Sequence, residues 1–182
     1  MLKNSHYGSI EEARREIDTS KPCVVLGNGS SLNDLDINKI QKFFTIGVNR
    51  IGKLFTPDAH VSVDLPACES KAPLKVSWGN YKDPNYINLG TQKKPSIIIS
   101  LDLAELLHFK VVYLCGVDMI GNYFWGGNPI IERNNPQYYQ HIKGSHFDYF
   151  SKYIGRLKIL NCSSNSFLTM FPKSNKFIKD AD

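Results

Sequence analysis

The chain predicts an α/β fold. The expectation is a single Rossmann-like domain over residues 1–182, with a mostly parallel sheet, helices on both faces and a lid-like loop region. Three observations carry it. Short β-branched runs alternate with helical segments, the pattern of parallel strands joined by crossovers. The first such run, Val24-Val25-Leu26, opens into Gly27-Asn28-Gly29-Ser30-Ser31-Leu32. Each strong strand then ends on an amide, acid or hydroxyl, and open parallel sheets bind ligands beyond their carboxyl ends.

Taken in order, residues 9–18 read as a short helix with a serine cap and an acidic first turn. Pro22 marks the entry to a strand at 23–26, and a helix follows through 35–40. Phe43 to Val48 is the second strand. Ile51 to Phe55 is one helical turn, stopped by Pro57. Ala59 to Val63 is the third strand. Residues 65–95 are rich in Pro, Gly, Asn and Lys and read as irregular, with one weak strand at 86–89. A helix is expected over 101–109, and Lys110 to Gly116 is the strongest strand signal. The stretch 119–143 is a long polar and aromatic loop of lid-like character. A helix at 147–154, a last strand at 157–160 and a turn at 167–171 complete the chain.

A length of 182 residues suffices for one domain with a full core. No apolar run approaches the ~18 residues of a membrane span, and the first six residues lack a signal-peptide core. A cytoplasmic protein with at most peripheral membrane contact is expected. The net charge is +5, but the basic residues are scattered, which argues against nucleic acid and allows a mild attraction to anionic substrates. Cys23, Cys68, Cys115 and Cys162 are widely spaced and read as small thiols in a core. A homo-oligomer is left open.

The candidate chemistry collects at the strand ends. Gly27 and Gly29 can adopt positive φ, lack a Cβ that would block a ligand, and would bring bare N–H groups to a phosphate. Ser30 or Ser31 can cap the helix that follows. Strand two ends in Asn49-Arg50, where Asn49 suits a nucleotide contact and Arg50 reads as surface rather than as a phosphate clamp. Asp64 and Asp118 could hold Mg²⁺ through mostly water and phosphate ligands. The last strand leads to Asn165-Ser166, and either His141 or His146 could serve as an acid/base group. His60 and His108 lie in regular elements and read as structural.

Four short motifs in order give the chain a resemblance. Gly27-Asn28-Gly29-Ser30-Ser31-Leu32, Val48-Asn49-Arg50, Tyr113-Leu114-Cys115-Gly116-Val117-Asp118 and Cys162-Ser163-Ser164-Asn165-Ser166-Phe167-Leu168 match the turn and strand-end motifs of one group over roughly residues 22–172. The chain thus resembles the bacterial lipooligosaccharide sialyltransferase family and the related motility-accessory-factor type glycosyltransferase-like proteins. The resemblance implies a Rossmann-like domain plus a lid, a nucleotide-sugar donor such as CMP-sialic acid, a glycan acceptor, and no required metal. It implies that Gly27, Asn28, Gly29, Ser30, Ser31, Asn49, Asp118, Asn165 and Ser166 line the nucleotide site, that Tyr123 assists phosphate departure, and that His141 or His146 is the base. Of the family's two tyrosines beyond the Gly-x-Asp strand, the first falls on Ile120 here. The pattern Thr56-Pro57-Asp58 before strand three with Asp64 after it is closer to the archaeal 6-hydroxymethylpterin pyrophosphokinase. That likeness implies the alternative, an Mg²⁺-dependent nucleotidyl or pyrophosphokinase enzyme using Asp64 and Asp118. A non-catalytic nucleotide- or glycan-binding protein is the third expectation.

Overall fold

The computed structural model describes residues 6–63, 70–78, 84–90, 94–119, 122–127, 146–164 and 166–179. His141, Asn165, Asp64, Ile120 and Cys68 lie outside them.

Seven parallel strands form one sheet in the order β5-β4-β3-β2-β1-β6-β7. They are β1 Cys23–Leu26, β2 Phe44–Val48, β3 Ala59–Val61, β4 Leu74–Ser77, β5 Ile87–Asn88, β6 Val111–Cys115 and β7 Lys158–Asn161. The central strand β1 pairs with β2 on one side and β6 on the other, both in parallel. The order of strands reverses there, so the crevice beyond β1 and β6 is the topological switch point of the sheet. Strands β1 and β6 are Val/Leu/Cys runs because both their faces are covered.

One face packs on helices α1 (Ile10–Glu16) and α3 (Ser96–Leu106), around Val25, Ile46, Val61, Val76, Ile98, Leu101 and Leu114. α1 starts at Ser9, whose side chain accepts from the N–H of Glu12. The other face buries Val24, Leu26, Leu32, Leu35, Ile51, Cys115 and Phe177. A short helix α2 (Ile37–Ile40), capped by Asp36, lies between β1 and β2. Among the described residues no helix is long and apolar enough to cross a membrane.

Several expectations are corrected here. The stretch 65–95 is not irregular throughout, since it supplies β4 as well as β5. Leu74 and Val76 alternate with Lys75 and Ser77, so only one face of β4 reads as core. α3 begins at Ser96, not near residue 101. Its Ile97-Ile98-Ile99 run looks strand-like in isolation, yet the helix buries Ile98, Ile99, Leu101 and Leu103 together. β3 ends at Val61, two residues short of the expected bound. Ser30 and Ser31 do not cap a helix: they lie inside a 3-10 turn, Ser30–Asp34, with Gly29 at the cap position. Helical residues 146–151 begin one residue before the expected start. Cys23, Cys115 and Cys162 are buried free thiols, as expected.

Candidate functional site

All the strands run the same way, so their carboxyl ends share one edge. The Gly27–Ser31 turn stands at its centre, and its geometry overturns the first reason given for it. The turn is closed on the protein. Gly27 N–H donates to the Cys115 carbonyl at 2.8 Å and Gly29 N–H to the Gly116 carbonyl at 2.7 Å. Ser30 N–H donates to the Asn122 carbonyl at 2.9 Å. Ser31 N–H donates to Asp118 Oδ2 at 2.9 Å, and the Ser31 hydroxyl makes a second, short bond to Asp118 Oδ1. Four backbone N–H groups of the turn are therefore committed, including those of the two glycines expected to face a phosphate.

The glycines are required by the neighbouring strand end. A Cβ at Gly27 would fall 2.4 Å from the Gly116 carbonyl oxygen, and one at Gly29 would fall 2.5 Å from Asp118. Neither residue adopts a positive φ, and Gly29 has φ −69°. Positive φ belongs to Gly116, at +64°, where a Cβ would strike Leu32. The two turns interlock, and Asp118, only 5% exposed, is the internal anion that the turn binds.

The loop beyond β6 closes over this crevice. Tyr123 bridges Gly29, and Phe124 N–H donates to the Asn28 carbonyl at 3.0 Å. Tyr123 and Trp125 stack with centroids 4.3 Å apart, and Phe124 meets Trp125 edge-on at 4.9 Å. The guanidinium of Arg50 sits over the Trp125 ring, 4.9 Å from its centroid. Arg50, read from the sequence as surface, is half-buried and stands at the edge with Asn28, Asn49 and Tyr123. Sequence reasoning set the surface reading above the phosphate-clamp reading because Trp125, its support, comes from a remote loop.

Asn49 holds a left-handed backbone, φ +48°, at the end of β2. Asparagine tolerates this conformation better than most residues. Its carbonyl accepts from His60 Nε2 at 2.7 Å, and its Oδ1 accepts from the Ser96 hydroxyl at 3.0 Å. A carbonyl only accepts, so His60 carries its proton on Nε2, and Nδ1 accepts from the Tyr86 hydroxyl at 3.1 Å. Burial lowers the His60 pKa, with the Asn49 bond acting in the opposite direction. His60 lies in β3, as expected, whereas His108 lies just beyond α3 in a left-handed turn, exposed, with its Nδ1 accepting from Arg14.

Ser166 is brought to the crevice by a different route. Its hydroxyl donates to the Val117 carbonyl at 2.6 Å and accepts from Leu168 N–H. It therefore locks the loop after β7 onto the loop after β6. Lys173 holds the same loop through the carbonyls of Ser163, Ser164 and Ser166. His146 is half-buried at the start of the helical segment 146–151, and burial pushes its pKa down to about 4.

The Pro-Asp pattern before β3 does not reach this edge. Asp58 Oδ2 accepts from both the N–H and the hydroxyl of Thr45 at 2.8 Å, tying the amino ends of β2 and β3 together. Among the described residues no group of three His, Cys, Asp or Glu could hold a metal ion. The Asp118 carboxylate, proposed for Mg²⁺, is occupied by Ser30 and Ser31.

One further signal marks the edge. Four buried side-chain atoms lack a hydrogen-bond partner among the described residues: Asn28 Oδ1, Ser62 Oγ, Ser77 Oγ and Trp78 Nε1. All four lie at or just past the carboxyl ends of β1, β3 and β4. An orphaned buried polar group costs about 1–3 kcal/mol and calls for a ligand or water partner.

No family model and no curated protein matches this sequence. Two solved structures share the fold. The sialyltransferase CST-II in complex with trisaccharide acceptor and CMP is 15% identical, with a TM-score of 0.56 over 88% of this chain and 89% of that one. The sialyltransferase CstII from Campylobacter jejuni in complex with the substrate analogue CMP-3FNeuAc is 15% identical, with a TM-score of 0.54 over 88% and 90%. The chain has a sialyltransferase-like, Rossmann-like fold built on a single seven-stranded parallel sheet.

Proposed function

We propose that this protein is a nucleotide-sugar-dependent glycosyltransferase of sialyltransferase-like type, using CMP-sialic acid or a similar donor and a glycan hydroxyl as acceptor. The observation that carries the reading is a coincidence of place. In a fold similar to sialyltransferases, the unpartnered buried polar atoms among the described residues all fall at the carboxyl edge of the sheet, where open parallel sheets bind ligands.

In this reading the nucleotide lies along the ends of β1 and β2. The Asn28 amide and the Asn49 side chain read its hydroxyls or base edge, because an amide both donates and accepts. The Gly27–Ser31 turn, held by Asp118, is the rigid floor under it rather than the donor set. Tyr123 supports the departing phosphate, and Ser166, bonded to Val117 and Leu168, fixes the loop on the far side. The acceptor hydroxyl attacks the anomeric carbon, the bond to the phosphate oxygen breaks with its electron pair on the nucleotide, and a histidine takes the acceptor proton. A base for this step works best with a pKa near the operating pH. His146, lowered to about 4 by burial, is the weaker base at pH 7, so the reading favours His141 and keeps His146 as the alternative. The reading requires no metal.

The test is a transfer assay that follows CMP release from CMP-sialic acid with a panel of glycan acceptors. Wild type is expected to release CMP in an acceptor-dependent way. His141→Ala is expected to lower turnover at least ~100-fold with donor affinity nearly kept. Unchanged turnover in His141→Ala, His146→Ala and the double variant removes histidine base catalysis. No nucleotide-sugar turnover with any donor removes the glycosyltransferase reading.

A further inference from the structure

The phosphate of a nucleotide sugar needs positive charge or a set of N–H donors. In most βα turns of this kind the glycine backbone provides them. Here the N–H groups of Gly27, Gly29, Ser30 and Ser31 are committed to the protein. The position an external anion would take is filled by the Asp118 carboxylate, whose charge repels a phosphate brought to the same spot. The charge must be matched from elsewhere along the edge.

The cations there are not equivalent. Lys173 donates to three backbone carbonyls and is held by them. Arg50 has no hydrogen bond and no carboxylate partner among the described residues, although it is half-buried. What holds it is the face of Trp125. Trp125 is braced by Tyr123 and Phe124, and both of these are tied to the backbone of the Asn28–Gly29 turn. A guanidinium held over a ring, and not hydrogen-bonded to any described residue, keeps its N–H donors for a ligand, and their planar fork matches two phosphate oxygens at once. The unpartnered Asn28 Oδ1 on the same turn offers an acceptor for a ligand hydroxyl or amine beside that phosphate.

We infer that Arg50, seated on Trp125, binds the phosphate that links nucleoside to sugar. The inference rests on the glycosyltransferase reading for the identity of the ligand, but not for the existence of the anion site. It separates this chain from a purely neutral mode of phosphate binding by hydroxyls and amides.

The experiment is calorimetric titration of the full chain with CMP, cytidine and inorganic pyrophosphate, repeated on Arg50→Gln and Arg50→Lys. Melting temperature and near-UV circular dichroism establish that each variant is folded. Wild type is expected to bind CMP at least tenfold more tightly than cytidine. Arg50→Gln is expected to abolish that ratio, weakening CMP at least tenfold and leaving cytidine unchanged. Arg50→Lys, which keeps the charge but loses the planar fork, is expected to fall between. CMP binding that keeps its advantage over cytidine in Arg50→Gln overturns the role of Arg50 and leaves the glycosyltransferase reading standing. Arg50-dependent binding of pyrophosphate without any binding of CMP keeps the anion site and counts against that reading. Absence of binding by all three probes overturns the anion site.

Discussion

The carboxyl edge of the sheet divides into two halves of opposite character. Between β1 and β6, where the topology predicts the ligand crevice, the structure is saturated. The glycine turn, Gly116, Asp118 and Ser166 satisfy one another and leave little for a ligand. From β1 across to β4 the edge is under-satisfied. Among the described residues it carries Asn28 Oδ1, Ser62 Oγ, Ser77 Oγ and Trp78 Nε1 without hydrogen-bond partners, and an Arg50 seated over an indole with no hydrogen bond or carboxylate partner. A motif that looks like a phosphate cradle can serve as an anchor, and in the proposed reading the binding falls to the adjacent strands.

The saturated half can be broken by steric means. Gly29→Val is expected to destabilise the fold by on the order of 3 kcal/mol or more, because its Cβ would meet Asp118 and the Gly116 carbonyl. A folded Gly29→Val with the wild-type melting temperature would contradict the interlocked turns. Asp118→Ala removes the acceptor of both Ser31 groups and is expected to cost about 2–3 kcal/mol of stability by denaturant unfolding. Asp118→Asn keeps one carbonyl oxygen and should cost less.

The under-satisfied half should respond in affinity rather than stability. Asn49→Gly keeps the left-handed backbone and removes the side chain. It is expected to weaken CMP binding by about 1–3 kcal/mol by calorimetry, with a nearly unchanged melting temperature. A large drop in melting temperature with unchanged affinity would return Asn49 to a strand terminator bonded to Ser96.

Acid should act on the histidines. The pKa of His146 is lowered to about 4 and that of His60 is lowered as well, both by burial. The unfolded chain therefore binds more protons than the native state once the pH falls below about 6.5. Stability is fully present above that pH and is lost as the pH falls toward the folded values. Each histidine contributes at most about 1.4 kcal/mol per pH unit. His146→Gln should flatten this slope in urea unfolding between pH 4 and 6.5, and an unchanged slope would contradict the burial. The smallest expected effect is that of chelation: EDTA should alter neither CMP affinity nor turnover. A cation bridging Asp118 to phosphate at ~2.0–2.1 Å would reopen the saturated half and favour the Mg²⁺-dependent alternative.

The legibility of the fold followed burial. β1, β2 and β6 were plain in the sequence because strands covered on both faces are written as apolar runs. β4 was not, because Lys75 and Ser77 fall on a polar face and Pro73 precedes the run. Its Leu-Lys-Val-Ser alternation was the available signal. The glycines at 27 and 29 were legible as special positions, but their reason was not. What forbids a Cβ there is a turn more than eighty residues later in the chain, as the Ser31–Asp118 separation of 87 residues shows. Asn49 was visible as a polar strand end. Arg50 was visible at the same strand end but read as surface, since only the folded chain sets Trp125 beneath it.

The most direct test of the account is a titration of ¹⁵N-labelled protein with CMP, read by amide and indole shifts in two-dimensional NMR. The two tryptophans, Trp78 and Trp125, provide separate indole probes. The account predicts saturable shifts centred on Asn28, Asn49, Arg50 and Tyr123 and on the Trp125 indole, with the amides of Gly27 and Gly29 moving little. Shifts centred on the remote cleft between α1 and β5, around Arg14 and Asn88, or no saturable shift at millimolar CMP, would contradict it.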